Sequence, residues 1–308
     1  MSVVVLGSIN LDLIAQVAHR PRAGETLLAD QFQTSPGGKG ANQALAACRM
    51  GASVTMLGAV GADHFAEAAL SLMQQEGVDL SRVKALECVP TGLALIHLDQ
   101  QGDNSITVVP GANAQGGTWA LQNLEQVLTP HDILALQLEV SLDVVCAAIT
   151  MAKRVGATVM LDPAPCPDYI PQEFFQADIL TPNQGEAERI LQRRIEDIDQ
   201  ARNATRTLHK LGIATAIITL GSQGIVWTNS QGTFYEAACR VKSIDSTGAG
   251  DTFAGALAAL LDGGHGMGNS IALANRAAAL ATTRIGAQSA LPRLQEVLDQ
   301  YATQPEPH

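Results

Sequence analysis

The chain has 308 residues, 46% of them hydrophobic and 16% charged, which is enough to bury a large core in one α/β domain with an embellishment, or in two domains. Thirty acidic against 19 basic side chains leave a net charge of −11, arguing against nucleic acid or an anionic membrane as the main partner. A phosphorylated ligand stays compatible, held through backbone amides and a bound metal.

The start, "MSVVVLGSINLDLIAQ", lacks a basic leader and reaches a polar residue at Asn10, so it reads as a first strand rather than a signal peptide. Buried strands are expected at 3–7, 53–61, 132–139, 158–165, 178–183 and 215–221, each a short apolar run. Helical patterns lie near 41–50, 65–76, 143–155, 186–192, 198–211, 252–262, 269–284 and 293–301. This alternation predicts a single α/β domain over 1–308, with a mostly parallel central sheet flanked by helices on both faces. Two segments break the rhythm. "ETLLADQFQTSP" and "TGLALIHLDQQGDNSITVVPGAN" alternate polar and apolar positions, the second around a turn cluster at "QQGDN". They read as a small projecting β-sheet lid inserted at about 12–36 and 91–111, with an exposed face suited to a homodimer. No apolar run reaches the length of a membrane span. Cys48, Cys88, Cys146, Cys166 and Cys239 form no CxxC, which argues against zinc or a disulfide framework and fits a reducing cytoplasm. All five are expected as small buried apolar side chains.

In an open parallel sheet, ligands gather outside the carboxyl ends of the strands. Those ends lead to Asn10, Asp12, Glu139, Asp162, Asn183, Thr219 and Gly221. "SPGGKGANQALAACRMG" places Gly37, Gly38 and Lys39 before a helix, with Asn42 in its first turn. It fails as a P-loop, because Gln33 stands where a glycine is required and Gly40 follows Lys39. It is either a flexible capped turn or a close backbone approach to a ligand whose hydroxyls Asn42 would bind. "DSTGAGD" also fails as a dinucleotide fingerprint, with Phe253 at the third glycine position. It opens the helix "TFAGALAALL", whose free amides and dipole would hold the charge of a transferring phosphoryl group. Asp251 would take the proton of an attacking hydroxyl; the alternative is an Asp N-cap, which leaves Gly248, Ala249 and Gly250 unexplained. In "TPNQGEAE", Asn183 would meet phosphate oxygens and Glu186 would orient water around Mg²⁺; the alternative is an acidic helix start. "TLGSQG" is a β-turn or a glycine loop beside a nucleotide. No HxH, HExxH or GxSxG occurs.

With "GGKGAN", "TPNQGE" and "DSTGAGD" in that order, the chain resembles the ribokinase-like (PfkB) sugar kinases from residue 3 to about 300. "GSINLD", "LQLE", "DPAP", "ITLGSQG" and "RIGAQSALP" are most similar to the members that phosphorylate ribose. The resemblance implies transfer of the ATP γ-phosphoryl to a sugar hydroxyl, the 5-hydroxyl for ribose. It implies Asn10, Asp12, Gly38, Lys39, Asn42 and Glu139 around the sugar and Asp251 as base. Asn183, Thr219, Gly221, Gly224 and Asn275 would lie along the nucleotide, with Gly248, Ala249 and Gly250 as the anion hole and Glu186 in the Mg²⁺ shell. Activation by K⁺ is implied too, through Asp245 and the carbonyls of Thr247, Ala281, Arg284 and Gly286, with Ala290 as a further K⁺ position. The chain departs from the family pattern at Asn275, where a His often flanks adenine, and at Ala290, where a Ser is common. The competing readings are a kinase for 2-deoxyribose, another sugar or a nucleoside, and a sugar-binding regulator without turnover. An intact Asp251 with its glycine run speaks against the last.

Overall fold

The structure, a computed structural model, describes residues 2–99 and 104–303; residues 100–103 of the expected "QQGDN" turn lie outside that range. Among the described residues, nine strands form the large sheet: β1 (Val3–Leu6), β4 (Val54–Gly61), β5 (Val83–Leu86), β8 (Ile133–Leu136), β9 (Thr158–Leu161), β10 (Ile179–Leu180), β11 (Thr215–Thr219), β12 (Ile225–Asn229) and β13 (Gly232–Glu236). Their order is β13-β12-β11-β10-β9-β8-β1-β4-β5, and all pairs are parallel except the β11-β12-β13 edge.

A sheet covered on both faces needs apolar residues at every position, and "VVVL" in β1 supplies them. Val3 and Val5 join one core with Leu45, Met73, Leu257, Ile271 and Val297; Val4 and Leu6 join the other with Leu124, Ile149, Ala187 and Leu208. The first face is covered by α1 (Lys39–Arg49), α2 (His64–Glu76), α7 (Ala249–Asp262), α8 (Met267–Ala281) and α9 (Leu294–Thr303). The second is covered by α3 (Gly117–Val127), α4 (Leu142–Val155), α5 (Gln184–Leu191) and α6 (Ile198–Lys210).

Four elements carry no clear sequence signal. The helix α3 starts after Gly116 with no side-chain cap, so it lacks a start signal. The strand β5 is a four-residue edge strand, half-buried at Val83 and Leu86 and exposed at Lys84 and Ala85. The β12–β13 hairpin adds an antiparallel edge that a βα rhythm does not foretell.

A second, four-stranded sheet runs β3-β2-β6-β7, built from β2 (Asn10–Val17), β3 (Gln31–Gly37), β6 (Gly92–Asp99) and β7 (Asn104–Val109). Its central pair, β2 and β6, is parallel and the outer pairs are antiparallel. Residues 25–30, expected as part of a strand, precede β3 as loop. Leu11, Leu13 and Leu93 on one face of this sheet pack onto the main core. By register, Asp12, Ile14, Ile96, Ile106 and Val108 share the other face, where Ile106 and Val108 are exposed.

The packing of α7 on α1 brings the candidate chemistry together. A Cβ at Gly255 would collide with the Gln43 carbonyl oxygen, so the α7 backbone lies directly against the α1 backbone there. The N-terminus of α7 has no capping side chain. Burial of Phe253, Leu257 and Leu260 holds the helix instead, each worth about 1.5–3 kcal/mol against roughly 1 kcal/mol for a cap. The helix tip is thereby left open to a ligand.

Candidate active site

Asp251 is the third residue of α7 and only 5% exposed. Its Oδ2 accepts a hydrogen bond from Asn42 Nδ2 at 2.8 Å and its Oδ1 one from Gln43 Nε2 at 3.4 Å. Lys39 Nζ stands 3.8 Å from Oδ1. The N-cap is Gly248, at φ +74°, so the reading of Asp251 as the cap is overturned. The carboxylate is turned towards α1 rather than back onto its own helix.

The first turn of α7 carries the anion-hole candidates. The helix begins at Ala249, three residues earlier than its apolar pattern suggests, so 249–251 are helical and their amides are not spent within the helix. Ala249 N–H donates to Ser246 O at 3.2 Å, whereas the Gly248, Gly250 and Asp251 amides meet no acceptor among the described residues. Gly248, Ala249, Gly250 and Asp251 line a cavity of 210 Å³ together with Lys39 and Glu186. This charge balance shifts several groups. The Asp251 carboxylate, followed by Asp162 and Glu139, holds Lys39 protonated above its usual range against the opposing effect of burial. Burial pushes Asp162 well above the usual carboxylate range and raises Glu186.

On one side of this cavity lie the residues expected around a sugar. Asn10 and Glu139 line a cavity of 370 Å³ with Asn113 and Val108. Glu139 Oε2 accepts from Ser8 Oγ at 2.6 Å and from the Lys39 amide at 3.1 Å, tying this cavity to the first. Asn10 Oδ1 accepts from Asn113 Nδ2 at 2.7 Å, which fixes its orientation. Asp12 stands half-buried on β2, pushed up to about 7 by burial and then by the charges of Glu139 and Asp251. Gly38 precedes α1 at φ +91°, where a Cβ would stand 2.8 Å from the Asn10 amide; only glycine fits there. Asn42, expected to meet hydroxyls directly, is bound to Asp251, and its buried Oδ1 has no partner.

On the other side, Thr219, Gly221, Gly224 and Asn275 line a cavity of 320 Å³ that shares Thr219, Ser246, Ala249 and Gly250 with the first. Asn275 Nδ2 donates to Ala237 O at 2.8 Å. Asn183 lines the 210 Å³ cavity. It forms a full capping box with Glu186, accepting from the Glu186 amide at 2.9 Å while Glu186 Oε2 accepts from the Asn183 amide at 2.8 Å. The acidic helix start and the site role are therefore compatible. The other Glu186 oxygen takes no hydrogen bond among the described residues, leaving it open to a water or cation.

The residues implied for K⁺ form a separate cluster behind the helix tip. Asp245 Oδ1 accepts from the Thr247 amide at 2.9 Å, and Oδ2 accepts from the Gly286 amide at 2.9 Å, which closes two loops together. Ala281 O accepts from Arg284 N at 3.2 Å. Among the described residues, the Thr247, Arg284 and Gly286 carbonyls accept no hydrogen bond, and Ala290 is buried with no side-chain oxygen to offer. Among the same residues, no group of three or more His, Cys, Asp or Glu side chains could hold a metal, and no helix is long and apolar enough to cross a membrane.

The sequence of residues 1–294 matches the description pfkB family carbohydrate kinase. The chain belongs to the pfkB family of carbohydrate kinases. It is 36% identical to the ribokinase of Haemophilus influenzae, over 97% of each chain. It is 32% identical to the deoxyribokinase of Salmonella typhi, over 96% of this chain and 97% of that one. A structure of Arabidopsis thaliana ribokinase complexed with ribose and ATP superposes with a TM-score of 0.87 at 29% identity, covering 98% of this chain and 99% of that chain.

Around this pfkB site stand side chains that no sequence motif marks. Asn113 holds the Ile9 amide and Asn10; Asp162, directly after β9, joins Gln43 and Gln137 in a buried chain beneath Asp251. Residues 94 and 119 positions apart carry no spacing signal, although Gln43 directly follows Asn42 in the helix. The cysteine expectation needs correction: only Cys166 is buried, Cys88 is exposed at φ +61°, and Cys48, Cys146 and Cys239 are half-buried. Cys88 follows a short edge strand, and Cys239 lines the 320 Å³ cavity.

Proposed function

We propose that this kinase transfers the γ-phosphoryl group of ATP to the 5-hydroxyl of D-ribose, giving ribose 5-phosphate and ADP. The carrying observation is that Asp251 lines the 210 Å³ cavity, buried beside Lys39 and next to the free amides of Gly250 and itself. The sugar occupies the side of Asn10, Asp12, Gly38, Lys39, Asn42 and Glu139, whose oxygens and amides suit vicinal hydroxyls. Asp251 takes the hydroxyl proton as the oxygen attacks; the loose transition state asks of this base mainly orientation. Charge on the migrating group is met by the amides of Gly248, Gly250 and Asp251, by the dipole of α7 and by the Lys39 ammonium. The Ala249 amide, already used by Ser246, contributes shape more than a donor. Thr219, Gly221, Gly224, Asn183 and Asn275 line the nucleotide side.

Mg²⁺ fits the open oxygen of Glu186, since it prefers a few carboxylate oxygens, waters and substrate phosphates; bound there, it would supply positive charge to the phosphates of the nucleotide. K⁺ fits the unpaired carbonyls of Thr247, Arg284 and Gly286, with Ala281, Ala290 and the Asp245 carboxylate beside them; its charge would steady the loop behind Gly248. The small sheet serves as a lid that excludes water from the phosphoryl group. Its apolar face, with Ile106 and Val108 exposed, pairs with a second copy in a homodimer. A reducing cytoplasm is the proposed setting.

The second reading, 2-deoxyribose, is favoured by the 32% identity to a deoxyribokinase. ATP consumption measured across pentoses, hexoses and nucleosides, with and without K⁺, separates the two. The expected result is the highest kcat/KM with ribose and a gain on adding K⁺. A kcat/KM for deoxyribose or a nucleoside at or above that for ribose rejects the ribose assignment.

A further inference from the structure

The mechanism leaves one buried group unexplained. Gln43 follows Asn42 in α1 and is 1% exposed, yet all of its side-chain polar atoms are engaged. Its Nε2 carries two hydrogens: one goes to Asp162 Oδ2 at 2.8 Å and the other to Asp251 Oδ1 at 3.4 Å. Its Oε1 accepts from Gln137 Nε2 at 2.6 Å. Turning the amide over would set its oxygen against two carboxylates and its NH₂ against that of Gln137. The orientation shown engages the whole Gln43 amide, while Gln137 Oε1 is buried without a hydrogen-bond partner among the described residues.

We propose that Gln43, locked by Gln137 and anchored on Asp162, is a positioning residue that holds the Asp251 carboxylate in the orientation from which it reaches the sugar hydroxyl. The inference rests on the reading of Asp251 as the base. The bond to Asp162 is the short one and the bond to Asp251 the long one, so the anchor is firm and the grip on the base is light. Asn42 holds Oδ2 tightly at 2.8 Å. Oδ1, with the weaker hydrogen bond, is the oxygen left to take up the proton. Without the bridging amide, the Asp251 and Asp162 carboxyls would face each other unscreened in a buried site, and Asp251 would swing towards Lys39, its nearest cation.

The test compares Gln43→Met, Gln137→Leu, the double variant and Asp251→Asn. Gln43→Met is expected to lower kcat by about 10–100-fold, the scale of a small misplacement of a reacting group. KM for sugar and for ATP should stay within about twofold, because Gln43 lines none of the three cavities. Gln137→Leu should lose kcat in the same direction by less, and the double variant should be no slower than Gln43→Met, since both act through one amide. Wild-type kcat in Gln43→Met with an inactive Asp251→Asn overturns the positioning role and leaves the base intact. Losses that multiply in the double variant overturn the lock. Full activity in Asp251→Asn removes the base and this inference with it. If Gln43→Met fails to fold, an unchanged kcat in Gln137→Leu is the overturning result.

Discussion

Asp251→Asn is expected to lower kcat by about 10²–10⁴-fold, the range that a positioned general base contributes, while sugar affinity measured by calorimetry stays within a few-fold. The side chain keeps its volume and its oxygen can still accept from Asn42, which sits at 2.8 Å. What it loses is the ability to receive a proton, and its new NH₂ group must face Gln43 or Lys39, both donors. The two effects act on turnover, whereas the sugar also has Asn10 and Glu139 in the 370 Å³ cavity. Turnover within tenfold of the parent enzyme would remove Asp251 from the base role.

Gly250→Val is expected to lower kcat/KM for ATP by about 10²-fold or more, the scale of losing donors to a developing anion, with no loss of thermal stability. A Cβ at Gly250 meets nothing within 4 Å, and the residue lies within a helix. No packing or backbone constraint calls for glycine there. Glycine is a poorer helix former than valine, so a glycine without structural need points to something else. Gly250 is exposed and lines both the 210 Å³ and 320 Å³ cavities. A branched side chain would fill the space in front of the Gly250 and Asp251 amides. Activity assays and thermal melts on the same preparation check this: a fall in midpoint with nucleotide kinetics unchanged would make Gly250 a structural residue.

The large sheet was legible because its strands are buried on both faces and read as unbroken apolar runs; "VVVL", "ILAL" and "TVML" leave little else to form. Helix interiors were legible for the same reason, but helix starts were not. The starts of α1 and α7 lie in glycine stretches with no capping side chain, and the apolar pattern begins only after them. For α7 this matters chemically, since two of the three residues in question, Gly250 and Asp251, carry unpaired amides and line the 210 Å³ cavity. The strand β5 is half exposed, β12 and β13 fold back as an antiparallel hairpin outside the βα rhythm, and α3 has no start signal. At the site, the residues within compact motifs came together in space: Gly38, Lys39 and Asn42 on α1, Asn183 and Glu186 on α5, Gly248 to Asp251 on α7. The Gln137–Gln43–Asp162 chain was beyond reach, because three segments meet there only through the β8–β9 pairing and the packing of α1. The β12–β13 edge likewise frames the nucleotide side by folding back on β11.

The most direct measurement is a crystal structure with a non-hydrolysable ATP analogue and ribose bound together. The expected result is γ-phosphate oxygens about 2.7–3.2 Å from the Gly250 and Asp251 amides, with a sugar hydroxyl within hydrogen-bond reach of the Asp251 carboxylate. A terminal phosphate resting away from residues 248–251 would contradict the account.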